Sequence, residues 1–130
     1  MQPDQQPVLQ AVFVIPPKVH LLDITGPATI FYEAGCYGAP VKLAFSTIFP
    51  DETGSDSSCT LSFNKLTPYD QLVLNPGDLV FVPGIEYYLL SDEAFLSSCR
   101  AFQYWLNAQH KKGVIICSVC TGAFLLAASG

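Results

Sequence analysis

The chain has 130 residues, 50% of them hydrophobic and only 13% charged, which suits a single domain with largely buried elements and excludes a disordered or fibrous sequence. Six Lys and Arg against eleven Asp and Glu give a net charge of -5, and no basic cluster exceeds Lys111-Lys112, so this segment is not expected to bind nucleic acid. Met1–Pro7 reads as a loose, disordered tail without a positive n-region, and the apolar runs are too short to span a bilayer, which excludes a membrane partner and points to the cytoplasm. Five unevenly spaced cysteines argue against a disulfide framework.

Val8–Ile15 (V-L-Q-A-V-F-V-I) predicts a first buried strand, stopped by Pro16-Pro17. Through His20, Leu21, Leu22 and Asp23 the chain enters a helix, I-T-G-P-A-T-I-F-Y-E-A-G. Pro27 fits its first turn and Gly35 its C′ position, with Leu22, Ile24, Ile30, Phe31 and Ala34 covering a sheet. Val41–Ile48 predicts a second strand, and Cys59–Phe63 with Leu66 a short hairpin or edge piece. Asn75-Pro76-Gly77-Asp78 predicts a turn before Leu79–Val82, a central buried strand ended by Pro83-Gly84. One long helix is expected over Glu93–Lys112, with Phe95, Leu96, Cys99, Phe102 and Leu106 on its apolar face and His110 on its solvated last turn. Strands alternating with helices imply a parallel α/β sheet with helices on both faces, whose sites gather beyond the carboxyl ends of the strands.

The last stretch, Val114–Gly130, organises the rest. Val114–Cys117 predicts a strand buried on both faces, and Gly122–Ser129 a helix apolar all round. Between them, S-V-C-T-G places Cys120 on a sharp strand-to-helix turn facing the positive end of a helix dipole. That is the logic of a nucleophile elbow, with the Thr121 N–H aimed at an oxyanion. A core cysteine at an ordinary junction is the alternative. Turns carrying Asp23, Gly84-Ile85 and Cys120 all follow strand ends and converge on one pocket in this reading. Asp23 is then a proton-exchanging carboxylate beside the thiol, or else a cap for the helix entered through Gly26-Pro27. Cys117 and Cys120 form a C-x-x-C, but the first lies in the strand and no second pair completes a zinc site, so neither a metal nor a cofactor is expected.

Together, L-L-D-I-T-G-P (Leu21–Pro27), F-V-P-G (Phe81–Gly84) and S-V-C-T-G-A-F-L-L-A-A-S-G (Ser118–Gly130) resemble the ThiJ/PfpI superfamily, the class I glutamine amidotransferase-like domains of flavodoxin type. The resemblance runs from about Val8 to Gly130. It implies a flavodoxin-like fold that is incomplete at its C-terminus, since members continue with further strands and helices, and it implies a homodimer. Two branches look nearest: the sensing domain of AraC-type transcriptional regulators, and isonitrile hydratase. On that resemblance Cys120 matches the elbow nucleophile and Asp23 its acidic partner. Thr121, Gly84, Ile85 and Gly26 match the oxyanion or ligand-binding positions. The family's P-G-G is Pro83-Gly84-Ile85 here, and an isoleucine resists the positive φ a second glycine tolerates. Neither His20 nor His110 is assigned to a triad. The function expected is sensing of a small-molecule ligand by an AraC-type regulator. The alternatives are a cysteine-dependent hydratase or amidase acting on a small substrate, and a thiol-based redox or stress sensor.

Overall fold

A computed structural model describes residues 6–130; the expected tail over residues 1–7 falls mostly outside the described residues. Five strands form one sheet in the order β5-β2-β1-β6-β7: β1 (Leu9–Val14), β2 (Val41–Thr47), β5 (Thr67–Pro68), β6 (Leu79–Val82) and β7 (Ile115–Ser118). Every pairing in it is parallel, with Phe13 opposite Phe45 on one side and Phe81 on the other. Successive side chains of β1 point to opposite faces, and both faces are covered. Val12 and Val14 pack in a core with Phe102, Leu106 and Leu125, while Ala11, Phe13 and Ile15 join Val19, Ile24 and Ala28 in a second core on the other face. The fold is therefore the expected flavodoxin-like α/β arrangement. A separate two-stranded hairpin, β3 (Ser55–Asp56) with β4 (Ser62–Phe63), carries Cys59 in its loop.

The first helix, α1, spans Leu21–Cys36, so Pro27 lies inside it rather than in its first turn. A proline there lacks the N–H that would bond the Asp23 carbonyl four residues back. Thr25 and Thr29 meanwhile donate their hydroxyls to the carbonyls of Leu21 and Thr25. Gly38, not Gly35, ends the helix. It sits at φ +94°, its N–H donates to the Gly35 carbonyl, and the Ala39 N–H donates to that of Ala34, the two bonds of a Schellman motif. Ile24 is buried as expected, but Leu22 and Ile30 face outward, 78% and 71% exposed.

The long helix is divided. After a short α2 (Tyr87–Leu90), α3 (Glu93–Ser98) and α4 (Arg100–Lys111) meet at Cys99. The Asp92 carboxylate caps α3 by accepting from the Ala94 and Phe95 N–H groups. At the far end Gly113 sits at φ +96°, and a second Schellman pair runs from the Val114 and Gly113 N–H groups to the carbonyls of Gln109 and His110. The last helix, α5, spans Gly122–Ala127. Two expectations are corrected here. As an edge strand β7 is not buried on both faces, Ile115 being 52% exposed, and α5 buries Leu125 while Phe124 points outward, 60% exposed. No helix among the described residues is long and apolar enough to cross a membrane.

Candidate functional site

Three chain segments leave the carboxyl ends of β1, β6 and β7 and meet above the sheet, at the point where the strand order reverses around β1. The first is fixed by backbone alone. Lys18 takes φ +57° and donates its N–H to the Asp56 carbonyl, and Val19, fully buried, bridges to both Ser57 and Ile85. The His20 N–H then donates to the Gly84 carbonyl at 2.9 Å, and the Asp23 N–H to the His20 carbonyl at 3.0 Å. His20 is thus the N-cap residue of α1 without a capping side-chain bond, and its imidazole is left for other work.

The second segment is Pro83-Gly84-Ile85, wholly buried. A Cβ on Gly84 would stand 2.7 Å from Asp23 Oδ2, 3.0 Å from Thr121 Oγ1 and 3.2 Å from Cys120 Cβ, so only glycine lets these three groups close around the turn. The third segment holds Cys120 between β7 and α5 at φ +53°, a conformation that L residues rarely adopt and the strained backbone expected at this strand-to-helix turn. Gly122 permits it. A Cβ there would run into the Val82 carbonyl and lie 2.6 Å from that of Pro83, so helix and strand approach backbone to backbone.

One ligand atom from each of His20, Asp23 and Cys120 lies within 4.8 Å of the other two. A carboxylate oxygen of Asp23 thus lies within 4.8 Å of the Cys120 sulfur, without a hydrogen bond between them. This carboxylate does not cap α1 but reaches across the sheet to accept the Gly84 N–H at 3.1 Å. His20, set aside in the sequence reading, joins the cluster, whereas His110 is exposed on α4. The only trace of this in the sequence is the H-x-x-D spacing within one strand-to-helix connection; the ties of Val19 and His20 to two other loops complete it. Gly26 lies on α1 one turn beyond Asp23, with nothing within 4 Å of where a Cβ would stand.

Of the three amides expected around an oxyanion, two are committed elsewhere. The Gly84 N–H serves Asp23. Ile85 donates its N–H to Thr121 Oγ1 at 3.2 Å and accepts the Thr121 hydroxyl on its carbonyl at 3.3 Å, while its side chain is fully buried in the core. The Thr121 N–H, at the N-cap of α5, remains the kind of amide a helix leaves without an internal partner. Cys117 plays no part in the cluster; burial within the sheet pushes its thiol up. The arrangement can hold a small polar or electrophilic molecule between a thiol, an imidazole and a carboxylate, while the Gly84 and Ile85 amides are bonded to Asp23 and Thr121.

Comparison with solved structures identifies the class of fold as that of ThiJ/PfpI and DJ-1 proteins. A candidate transcriptional regulator protein from Vibrio parahaemolyticus superposes with a TM-score of 0.76 at 18% identity, over 95% of this chain and 62% of its own. A ThiJ/PfpI family protein from Pseudomonas syringae gives 0.68 at 17%, over 98% and 54%. Drosophila melanogaster DJ-1beta gives 0.69 at 17%, over 95% and 61%. The chain thus spans a little over half the length of these structures, and what it shares with them at such identities is the fold. No protein-family model matches the chain, and neither does any curated protein.

Proposed function

We propose that this chain is a small-molecule-sensing domain of ThiJ/PfpI type from a cytoplasmic transcriptional regulator of the AraC class, with His20, Asp23 and Cys120 lining the ligand site. The observation that carries this reading is the inward commitment of the Gly84 and Ile85 amides. Turnover through a thiol adduct needs preorganised donors on the developing charge, and losing one typically costs ~10²–10³ in rate; binding needs none. The likeness to a candidate transcriptional regulator from Vibrio parahaemolyticus supports the same role. DNA contact then belongs to a domain outside these residues.

A second reading, a cysteine-dependent isonitrile hydratase or amidase, is favoured by the strained Cys120 backbone and by two proton-transfer groups within 4.8 Å. The two separate in one experiment. The sensor reading expects little turnover of amides or an aryl isocyanide, and small-ligand binding that changes in Cys120→Ala and Asp23→Asn. Isocyanide hydration at about 1 s⁻¹ or faster, abolished by Cys120→Ala, overturns it in favour of the enzyme.

A further inference from the structure

We propose that His20, Asp23 and Cys120 form a three-ligand site for a borderline divalent metal ion of the zinc class, with the fourth coordination position open. This rests on the cluster being the chain's ligand site and names the chemistry of what it holds. Imidazole nitrogen, carboxylate oxygen and thiolate sulfur are all zinc donors, and three protein ligands with one open position is the coordination of sites that exchange a water or a small molecule. Zn–N and Zn–O distances of roughly 2.0–2.1 Å and Zn–S of roughly 2.3 Å set tetrahedral donor separations of about 3.3–3.6 Å. The three donors lie within 4.8 Å of one another, so closing on an ion takes at most roughly 1.5 Å of approach, within the reach of side-chain rotation. None of the three residues is fully buried, which leaves that movement and the ion's entry free.

The surroundings have the features of an outer shell. The Gly84 N–H donates to Asp23 Oδ2 at 3.1 Å, orienting the carboxylate toward the cluster, and the Gly84 carbonyl accepts from the His20 backbone N–H at 2.9 Å. The left-handed turn at Cys120 lifts its sulfur out of the sheet toward them. Among the described residues, this is where His, Cys, Asp or Glu side chains gather in a group of three. On binding, the Cys120 thiol gives its proton to solvent and the thiolate donates a lone pair; no electron is transferred.

The test is titration of the full chain with Zn²⁺ alone against a chromophoric chelator, and with Co²⁺ as a spectroscopic probe. One equivalent is expected to bind, with a thiolate-to-cobalt charge-transfer band. His20→Gln, Asp23→Asn and Cys120→Ser should each weaken binding beyond the roughly 10–100-fold typical of outer-shell changes, and Cys120→Ser should also erase the band. Cys59→Ser and Cys117→Ser should leave both unchanged, and thermal melts verify that every variant is folded. Survival of the band in folded Cys120→Ser, loss of binding with Cys59→Ser, or wild-type affinity no better than about 1 mM overturns the proposal. If zinc fails to bind while a small organic ligand still depends on Cys120 and Asp23, the metal site is refuted and the sensor reading stands. If zinc binds as expected and isocyanide is rapidly hydrated, the reverse holds.

Discussion

Replacing Gly122 by alanine tests the close approach that builds the site. The added Cβ meets the backbone carbonyls of Val82 and Pro83, the latter at 2.6 Å, and 2.9 Å from the Pro83 carbonyl carbon. Overpacking usually costs about 1–3 kcal/mol when side chains can rotate aside; backbone oxygens cannot, so about 3 kcal/mol or slightly more is expected. Against a total stability of about 5–15 kcal/mol that is a large fraction, and at this chain length it lowers Tm by roughly 10 °C. The same change at Gly26 has the opposite sign. No atom lies within 4 Å of its Cβ position, and an alanine inside α1 gains about 0.5–1 kcal/mol. Thermal and urea melts followed by circular dichroism of both variants decide the matter. A Gly122→Ala protein within about 0.5 kcal/mol of wild type would refute backbone contact at the β7–α5 junction, as would a Gly26→Ala protein destabilised to the same degree as Gly122→Ala.

Gly84→Ala should act on the site more than on the fold: its Cβ presses on the Asp23 carboxylate at 2.7 Å, which can swing away, so stability falls by only about 1 kcal/mol while ligand or metal binding is lost; unchanged binding by titration would refute the convergence on Gly84. Burial pushes the Cys99 thiol up to about 11 from an ordinary 9.0, so the native state favours the neutral thiol. Its contribution is full below about pH 9 and is lost as pH rises toward about 11, so Tm should fall across that window and fall less steeply in Cys99→Ala; parallel slopes would refute it. The Ser57 hydroxyl, and then the Leu61 N–H, hold the exposed Cys59 thiol below its usual range. Iodoacetamide at neutral pH should therefore label Cys59 well before Cys99, as read by peptide mapping, and Ser57→Ala should slow that labelling; equal rates would count against the Ser57 contact.

The strands were legible where local chemistry and tertiary burial agree. β1 and β6 are apolar runs closed by proline, as buried parallel strands require, and β2 is legible from its alternation over Val41–Ile48. Element ends were less legible, because proline and glycine preferences are local and tertiary ties override them. The bond from His20 to Gly84 starts α1 before Pro27, and Gly38 rather than Gly35 takes the left-handed position that stops it. β7 looks like a central strand from V-I-I-C, but burial depends on neighbours, and among the described residues it pairs with β6 alone.

The site divides along the same line. Cys120 is readable because S-V-C-T-G dictates its own backbone, and Asp23 because it follows a strand end; His20 is placed by its own bond to Gly84 and by the ties of Val19 to Ser57 and Ile85, long-range contacts that sequence spacing does not encode. Ile85 carries the most information about function. The sequence marks it as the departure from P-G-G, and the structure places it outside the positive-φ region, with a fully buried side chain bridged to Val19 and an amide held by Thr121. A second glycine would leave that amide free to turn toward a reacting atom, whereas an isoleucine packed in the core fixes it inward. One residue thus exchanges a donor for core packing, and on the proposed reading this is why the site is expected to bind a ligand rather than turn one over.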